Sequence, residues 1–152
     1  MAKAVEIPDA VRAAIYAEAR AAFPAECCGY LIGRDGVAEQ AIRCRNAQSD
    51  GDHPTHPERG ADTGFVITGA ELFAFARTFE SDRPALVVYH SHTNGRAYLS
   101  TVDRDVAGAP PHYPVQHLVV GVSAVGLTEA AQFAWQGDAF VEVARWAIDN
   151  GS

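Results

Sequence analysis

Two histidines one residue apart, His90 and His92, stand at the end of the apolar run Ala85-Leu86-Val87-Val88-Tyr89, and Ser100 and Asp103 follow them. Strand side chains alternate between faces, so both rings project the same way and can aim their nitrogens at one point. That is a two-toothed metal clamp. Asp103 could supply a third ligand once the loop 93–99 folds back. Three protein ligands leave one tetrahedral position to water, the arrangement of a catalytic rather than a structural zinc, and a zinc so held brings the pKa of its water to about 7.

The same residues have plainer uses. Ser100-x-x-Asp103 is also a helix start, with Ser100 as N-cap and an acid in the first turn, and the two roles can coexist. A lone histidine on a strand is ordinarily a packed or surface residue, whereas two on one face at the entry to a polar loop favour metal. At this chain's composition, His-x-His-x7-Ser-x2-Asp arises by chance on the order of once per thousand sequences. Two histidines and a carboxylate also hold non-haem iron, which keeps a cupin-type oxygenase in view. Against it, nothing acidic lies between Thr93 and Thr101, and two helical patterns do not suit an all-strand barrel.

The elements that must position these groups follow from periodicity. Ile7, Val11, Ala14, Ile15, Ala19, Ala22 and Phe23 form the stripe of an amphipathic helix, with Pro8 in its first turn and Pro24 at its end. Strands are predicted over 27–33 and 37–44, joined by the tight turn Asp35-Gly36. Residues 46–64, rich in Asp, Gly, His, Pro and Thr, read as a long surface loop. A short extended piece, Phe65-Val66-Ile67, precedes a second helix over 70–80, closed by Arg83-Pro84. The strand 85–89 then enters the polar segment 90–100, and a short helix over 101–107 is stopped by Gly108 and Pro110-Pro111. Strands over 117–123 and 127–135 flank a turn at Gly126, and 140–148 is ambiguous between a final strand and a helix, its bulky residues fitting both periods poorly. This order predicts an α+β or α/β sandwich, a mixed β-sheet flanked by helices.

Length and composition frame the rest. A chain of 152 residues predicts a single domain over 1–152, and 48% hydrophobic with 20% charged residues is enough to bury a core. With 12 basic against 19 acidic side chains the net charge is -7, so no nucleic acid is expected as a partner. No apolar run reaches the roughly 18 residues of a spanning helix, so no membrane partner is expected either. Lys3, Glu6, Asp9 and Arg12 interrupt any signal peptide, and the expected location is cytoplasmic. Three cysteines without a Cys-x-x-Cys pair predict reduced thiols. The adjacent Cys27 and Cys28 would serve a thiol protease, but beside Gly29 in a predicted strand they read better as small packing residues.

His90-Ser91-His92, Ser100 and Asp103 together resemble the signature of the JAMM or MPN+ zinc metalloproteases, matching it at each specified position. That signature adds an upstream Glu ahead of a Gly-containing strand, and Glu26 before Cys27-Cys28-Gly29-Tyr30-Leu31-Ile32-Gly33 is similar. The likeness extends over roughly residues 5–140 and includes Asn46. It departs at Thr93 and Leu99, where many members have Pro, which bears on loop stiffness and the substrate groove rather than on ligation. The resemblance implies the cytidine-deaminase-like α/β sandwich of MPN domains, Zn2+ held by His90, His92 and Asp103, and Glu26 as the catalytic acid and base. Ser100, one turn before Asp103, could donate its hydroxyl to the developing oxyanion.

A prokaryotic stand-alone peptidase or isopeptidase is the implied activity. Its substrate would be a ubiquitin-like or sulfur-carrier protein with an extended C-terminal tail, docked as an added strand. A homodimer stays open, as does a metal-free MPN scaffold, although scaffolds lose ligands and here the specified residues are present. His53 and His56 with Asp50 and Asp52 read as an incidental surface cluster, Asp105 as a solvated charge, and His112 and His117 as groove or core residues.

Overall fold

The computed structural model describes residues 3–46 and 69–149. Most of the predicted loop 46–64, the piece 65–67 and the cluster around His53 and His56 lie outside the described residues.

The first helix, α1, spans Asp9–Ala22 with Pro8 at its N-cap, Asp9 in its first turn and Arg20 in its last, each charge placed to suit the helix dipole. Val11, Ile15 and Ala19 recur every four residues and are buried. Strands β1 (Cys28–Arg34) and β2 (Val37–Cys44) form an antiparallel hairpin. Its two-residue turn places Asp35 at φ 55 and Gly36 at φ 75, the left-handed pair whose twist matches that of the strands. Helix α2 covers Gly69–Arg77 and passes into a 3-10 turn at Thr78–Glu80, slightly offset from the predicted 70–80.

Strand β3 runs Ala85–His92, three residues beyond the predicted end, so both histidines belong to the strand itself. Helix α3 (Thr101–Ala107) crosses over to β4 (Gln116–Ser123), which pairs parallel to β3. Strands β5 (Gly126–Trp135) and β6 (Phe140–Ala147) complete the sheet. The ambiguous segment 140–148 is thus an edge strand, with exposed Glu142 and Arg145 breaking a strict alternation.

The sheet has the order β2-β1-β3-β4-β5-β6, antiparallel except at β3-β4, and is open at β6 and, beyond a single bridge from Glu6 to Val37, at β2. This is the predicted α+β class, a mixed sheet flanked by helices, and its open edges are not those of a cupin barrel. On one face Val87, Tyr89, Leu118 and Val120 pack against α1. On the other, Tyr30, Cys28 and Val88 pack against Phe75 of α2, and Val119, Ala131 and Phe133 receive Leu99 from the loop before α3. Gly29 is required where it stands, because a Cβ there would overlap the Ile42 carbonyl and the Tyr89 ring. Among the described residues no helix is long and apolar enough to cross a membrane.

Candidate metal centre

Alternation along β3 decides what each residue of His90-Ser91-His92 faces. His90 and His92 point to the side carrying α2 and α3, as Val88 does, while Ser91 points towards α1 as Val87 and Tyr89 do. All three are buried. Ser91 Oγ accepts the Cys27 backbone N–H at 2.8 Å, and the Ser91 N–H donates to the Cys27 carbonyl at 3.1 Å. Ser91 thereby stitches the start of β1, and Glu26 just ahead of it, to the strand that carries the histidines.

Asp103 arrives from the opposite direction. Ser100 caps α3 in a capping box: its Oγ accepts the Asp103 N–H at 3.0 Å, and its N–H donates to Asp103 Oδ2 at 2.9 Å. That reciprocal cap fixes the carboxylate over the rings, where Oδ2 lies 3.1 Å from His90 Nε2 and 3.0 Å from His92 Nε2. The two Nε2 atoms are themselves 3.1 Å apart. Leu99, buried against Val119 and Phe133, anchors the loop that delivers the helix.

Hydrogen bonds explain this triangle poorly. A ring nitrogen carries either one N–H or one lone pair, directed along a single in-plane line, so it cannot serve two partners on separate lines well. A cation above the triangle satisfies the lone pairs of both nitrogens and the oxygen together. Tetrahedral zinc with bonds of about 2.0–2.1 Å sets its ligand atoms roughly 3.3–3.4 Å apart, so contacts of 3.0–3.1 Å need only a slight opening. The donor set of two imidazoles and one carboxylate suits zinc and other borderline divalent ions. Glu26 adds a buried carboxylate, with an oxygen within 4.8 Å of ring nitrogens of His90 and His92.

The electrostatics reflect crowding. Burial resists a charge on His90, but the carboxylates of Asp103 and, less strongly, Glu26 together offset it and hold the ring's pKa above its ordinary value. His92 is pushed the other way, by burial first and by the neighbouring His90 charge as well. Burial alone would raise Asp103; the two rings overcome it and hold that carboxyl far below the usual range.

Of the sequence-predicted residues, the structure therefore brings His90, His92, Asp103 and Ser100 into direct contact and Glu26 to their edge. His117 is buried, its ring edge-on to Phe140 at 5.2 Å, with its pKa lowered to about 4 by burial and the His90 charge. His112 and Asp105 are exposed. Cys27, Cys28 and Cys44 are buried free thiols, and burial raises Cys27 to about 11, which disqualifies it as a nucleophile.

Three residues in the site had no role in the sequence reading. Ser91 tethers β1; a hydroxyl inside a buried apolar strand needs a partner, and that was the available signal. Asn46 Nδ2 donates to the Glu26 carbonyl at 3.1 Å. Tyr98 packs its ring edge-on to His92, centroids 4.5 Å apart.

Comparison with known proteins adds three findings. The family model for prokaryotic homologs of the JAB domain matches residues 8–136. A protein named CysO-cysteine peptidase, from Mycobacterium tuberculosis and Mycobacterium bovis, is 33% identical over 103 residues, covering 66% of this chain and 64% of its own length. The match thus spans just under two thirds of the curated relatives. Among solved structures, protein DSY2949 from Desulfitobacterium hafniense has a TM-score of 0.63 at 23% identity, covering 90% of this chain and 88% of its own. A JAB1/MPN domain protein from Archaeoglobus fulgidus has a TM-score of 0.51 at 15% identity, covering 91% and 94%. These two likenesses concern the fold.

Proposed function

The chain belongs to the prokaryotic homologs of the JAB domain, and from that premise we propose that it is a zinc-dependent peptidase, acting as one domain over residues 1–152, that cuts an amide bond at the C-terminal tail of a sulfur-carrier or other ubiquitin-like protein. The observation that carries the proposal is the convergence of His90 Nε2, His92 Nε2 and Asp103 Oδ2 to within 3.0–3.1 Å of one another beside a buried glutamate. The name of the 33% identical relative supports a sulfur carrier as the substrate class.

His90, His92 and Asp103 would hold the ion, which when bound supplies a Lewis acid and a water acidic enough to ionise near neutral pH. Glu26 accepts the proton of the attacking water and returns it to the departing amine, base first and acid afterwards. The peptide that follows it is held at both ends, by Asn46 Nδ2 at the Glu26 carbonyl and by Ser91 Oγ at the Cys27 N–H. Ser100 Oγ accepts from the Asp103 N–H and keeps its own proton to donate to the carbonyl oxygen as charge builds there. Tyr98 covers one side of His92 and narrows solvent access. An extended tail can add as a strand to one of the open edges, β2 or β6.

The test is to incubate zinc-loaded protein with a sulfur carrier bearing one extra C-terminal residue and to follow the carrier's mass. Loss of that residue with wild type but not with Glu26→Gln supports the proposal. A carrier left intact by zinc-loaded wild type contradicts it.

A further inference from the structure

One row of residues crosses three strands at the metal end of the sheet: His92 of β3 pairs with Gly121 of β4, and Gly121 pairs with Glu129 of β5. Directly paired residues share a face, so the ring and the carboxylate stand on the same side, with two strand spacings, about 10 Å, between their backbones. Glycine leaves the middle of the row without a side chain, and the loop after β3 fills the gap with its own backbone. A Cβ on Gly121 would lie 2.6 Å from the carbonyl carbon and oxygen of Gly95. The loop is fastened there: the Gly95 N–H donates to the Val122 carbonyl at 3.0 Å, and the Thr128 hydroxyl donates to the Gly95 carbonyl.

Two side chains hold the buried Ala97 at both of its backbone polar groups. Glu129 Oε2 accepts the Ala97 N–H at 2.8 Å, Arg145 donates to the Ala97 carbonyl at 2.7 Å, and the Glu129 carboxylate pairs with the Arg145 guanidinium at 3.0 Å. The peptide between Arg96 and Ala97 is trans and planar, so its carbonyl points away from its N–H. With the N–H aimed at Glu129, the Arg96 carbonyl is turned from β5 towards β3, where His92 stands. His92 Nδ1 is buried and makes no hydrogen bond of normal geometry among the described residues. Burial lowers the pKa of this ring most, and the Arg96 backbone, alongside Asp103, works against it, as a carbonyl facing the ring does.

When Nε2 lends its lone pair to a cation, the remaining ring proton sits on Nδ1, and a buried N–H needs an acceptor. We propose that Glu129 and Arg145 are positioning residues for the metal centre, holding the peptide between Arg96 and Ala97 so that the Arg96 carbonyl receives the Nδ1–H of His92 once Nε2 binds the ion. A ligating histidine is commonly oriented by a carboxylate or a carbonyl. Here the two act in series, imidazole to peptide and peptide to carboxylate, with Arg145 fixing the last. The arrangement orients the ring and makes it a stronger ligand. The same clamp keeps the next residue, Tyr98, against His92, ring centroids 4.5 Å apart. The inference rests on the metal-dependent reading above and adds two residues, from β5 and β6, that act on the site through the loop.

Two measurements test this, and the first needs no variant. In zinc-loaded wild type, NMR should show a coupling across a hydrogen bond between His92 Nδ1 and the Arg96 carbonyl carbon, with an Nδ1 proton slow to exchange. An Nδ1 proton that exchanges freely with water and shows no such coupling overturns the proposal. The second is zinc affinity by chelator competition. Glu129→Ala should bind zinc about 10–100-fold more weakly, the usual worth of an outer partner of a ligating histidine. Glu129→Gln, whose amide oxygen can still accept the Ala97 N–H, should recover most of that loss. Glu142→Ala removes another partner of Arg145, at 2.8 Å, but leaves the peptide untouched and should match wild type. A Glu129→Ala protein that melts earlier yet binds zinc like wild type has lost structural support only, which overturns the proposal, as does an equal loss of affinity in Glu142→Ala. Neither measurement uses a substrate, so the two readings separate. The coupling and the Glu129 dependence in a protein that hydrolyses no carrier uphold the clamp and remove the peptidase. Hydrolysis with a zinc affinity indifferent to residue 129 removes the clamp and leaves the peptidase.

Discussion

Ser91 lies between the two histidines yet faces away from them, which makes Ser91→Ala an informative change. It removes the acceptor of the Cys27 N–H, a buried 2.8 Å bond that joins residues 64 positions apart. The Cys27 amide is left with no replacement on the side chain of residue 91, and Cys27 is only 6% exposed, so water reaches it poorly. Stranding a buried donor costs about 1–3 kcal/mol. At this chain length each kcal/mol shifts Tm by about 2–4 °C, so Tm of the metal-free protein should fall by roughly 2–12 °C. The rings of His90 and His92 keep their strand and their face, so metal affinity should stay within a few-fold of wild type. Turnover should fall more than affinity, because the peptide joining Glu26 to Cys27 loses the Ser91 contact and keeps the Asn46 one. Thermal unfolding, metal titration and single-turnover hydrolysis measure the three effects, and Ser91→Thr, which keeps the hydroxyl, should restore part of the loss. A Ser91→Ala protein as stable and as active as wild type would refute the view that this hydroxyl positions the glutamate.

Glu26→Gln keeps the side chain's shape and should retain the metal while turnover drops by about 10²–10⁴, the usual worth of a general base. His92→Ala should lose both metal and turnover, as metal analysis beside the same assay would show. Glu18 offers a pH test away from the centre. Its carboxylate accepts the Tyr89 hydroxyl at 2.6 Å, and burial, against the lowering effects of that bond and of Arg43, holds its pKa above the ordinary 4.5. The native state therefore binds this proton more tightly than the unfolded state, and unfolding free energy falls as pH rises from 4.5 through the raised value. Glu18→Gln should remove that fall, so its stability relative to wild type should climb across this window and level off above it. Parallel urea-stability curves for the two proteins at every pH would exclude the effect.

The site was legible where local rules decide geometry. Alternation along 85–92 puts two rings on one face, and the Ser100-x-x-Asp103 cap that starts α3 is the same contact that holds the carboxylate over them. The hairpin was equally plain, because Asp35-Gly36 suits the left-handed turn it adopts. Other features depend on tertiary partners that no local pattern names. Strand β6 was ambiguous because an edge strand with exposed Glu142 and Arg145 lacks a clean period. The ends of β3 were blurred because buried histidines look polar in sequence, although His90 is fully buried. Ser91, Asn46 and Tyr98 gained roles only once β1, β2 and the loop after β3 had closed around Glu26 and His92.

Anomalous diffraction at the zinc edge from zinc-soaked crystals tests the central claim most directly. The account predicts one strong peak per chain, about 2.0–2.2 Å from His90 Nε2, His92 Nε2 and Asp103 Oδ2, with Glu26 facing its open side. A map without a peak between those atoms, or with zinc bound only elsewhere on the surface, would contradict it.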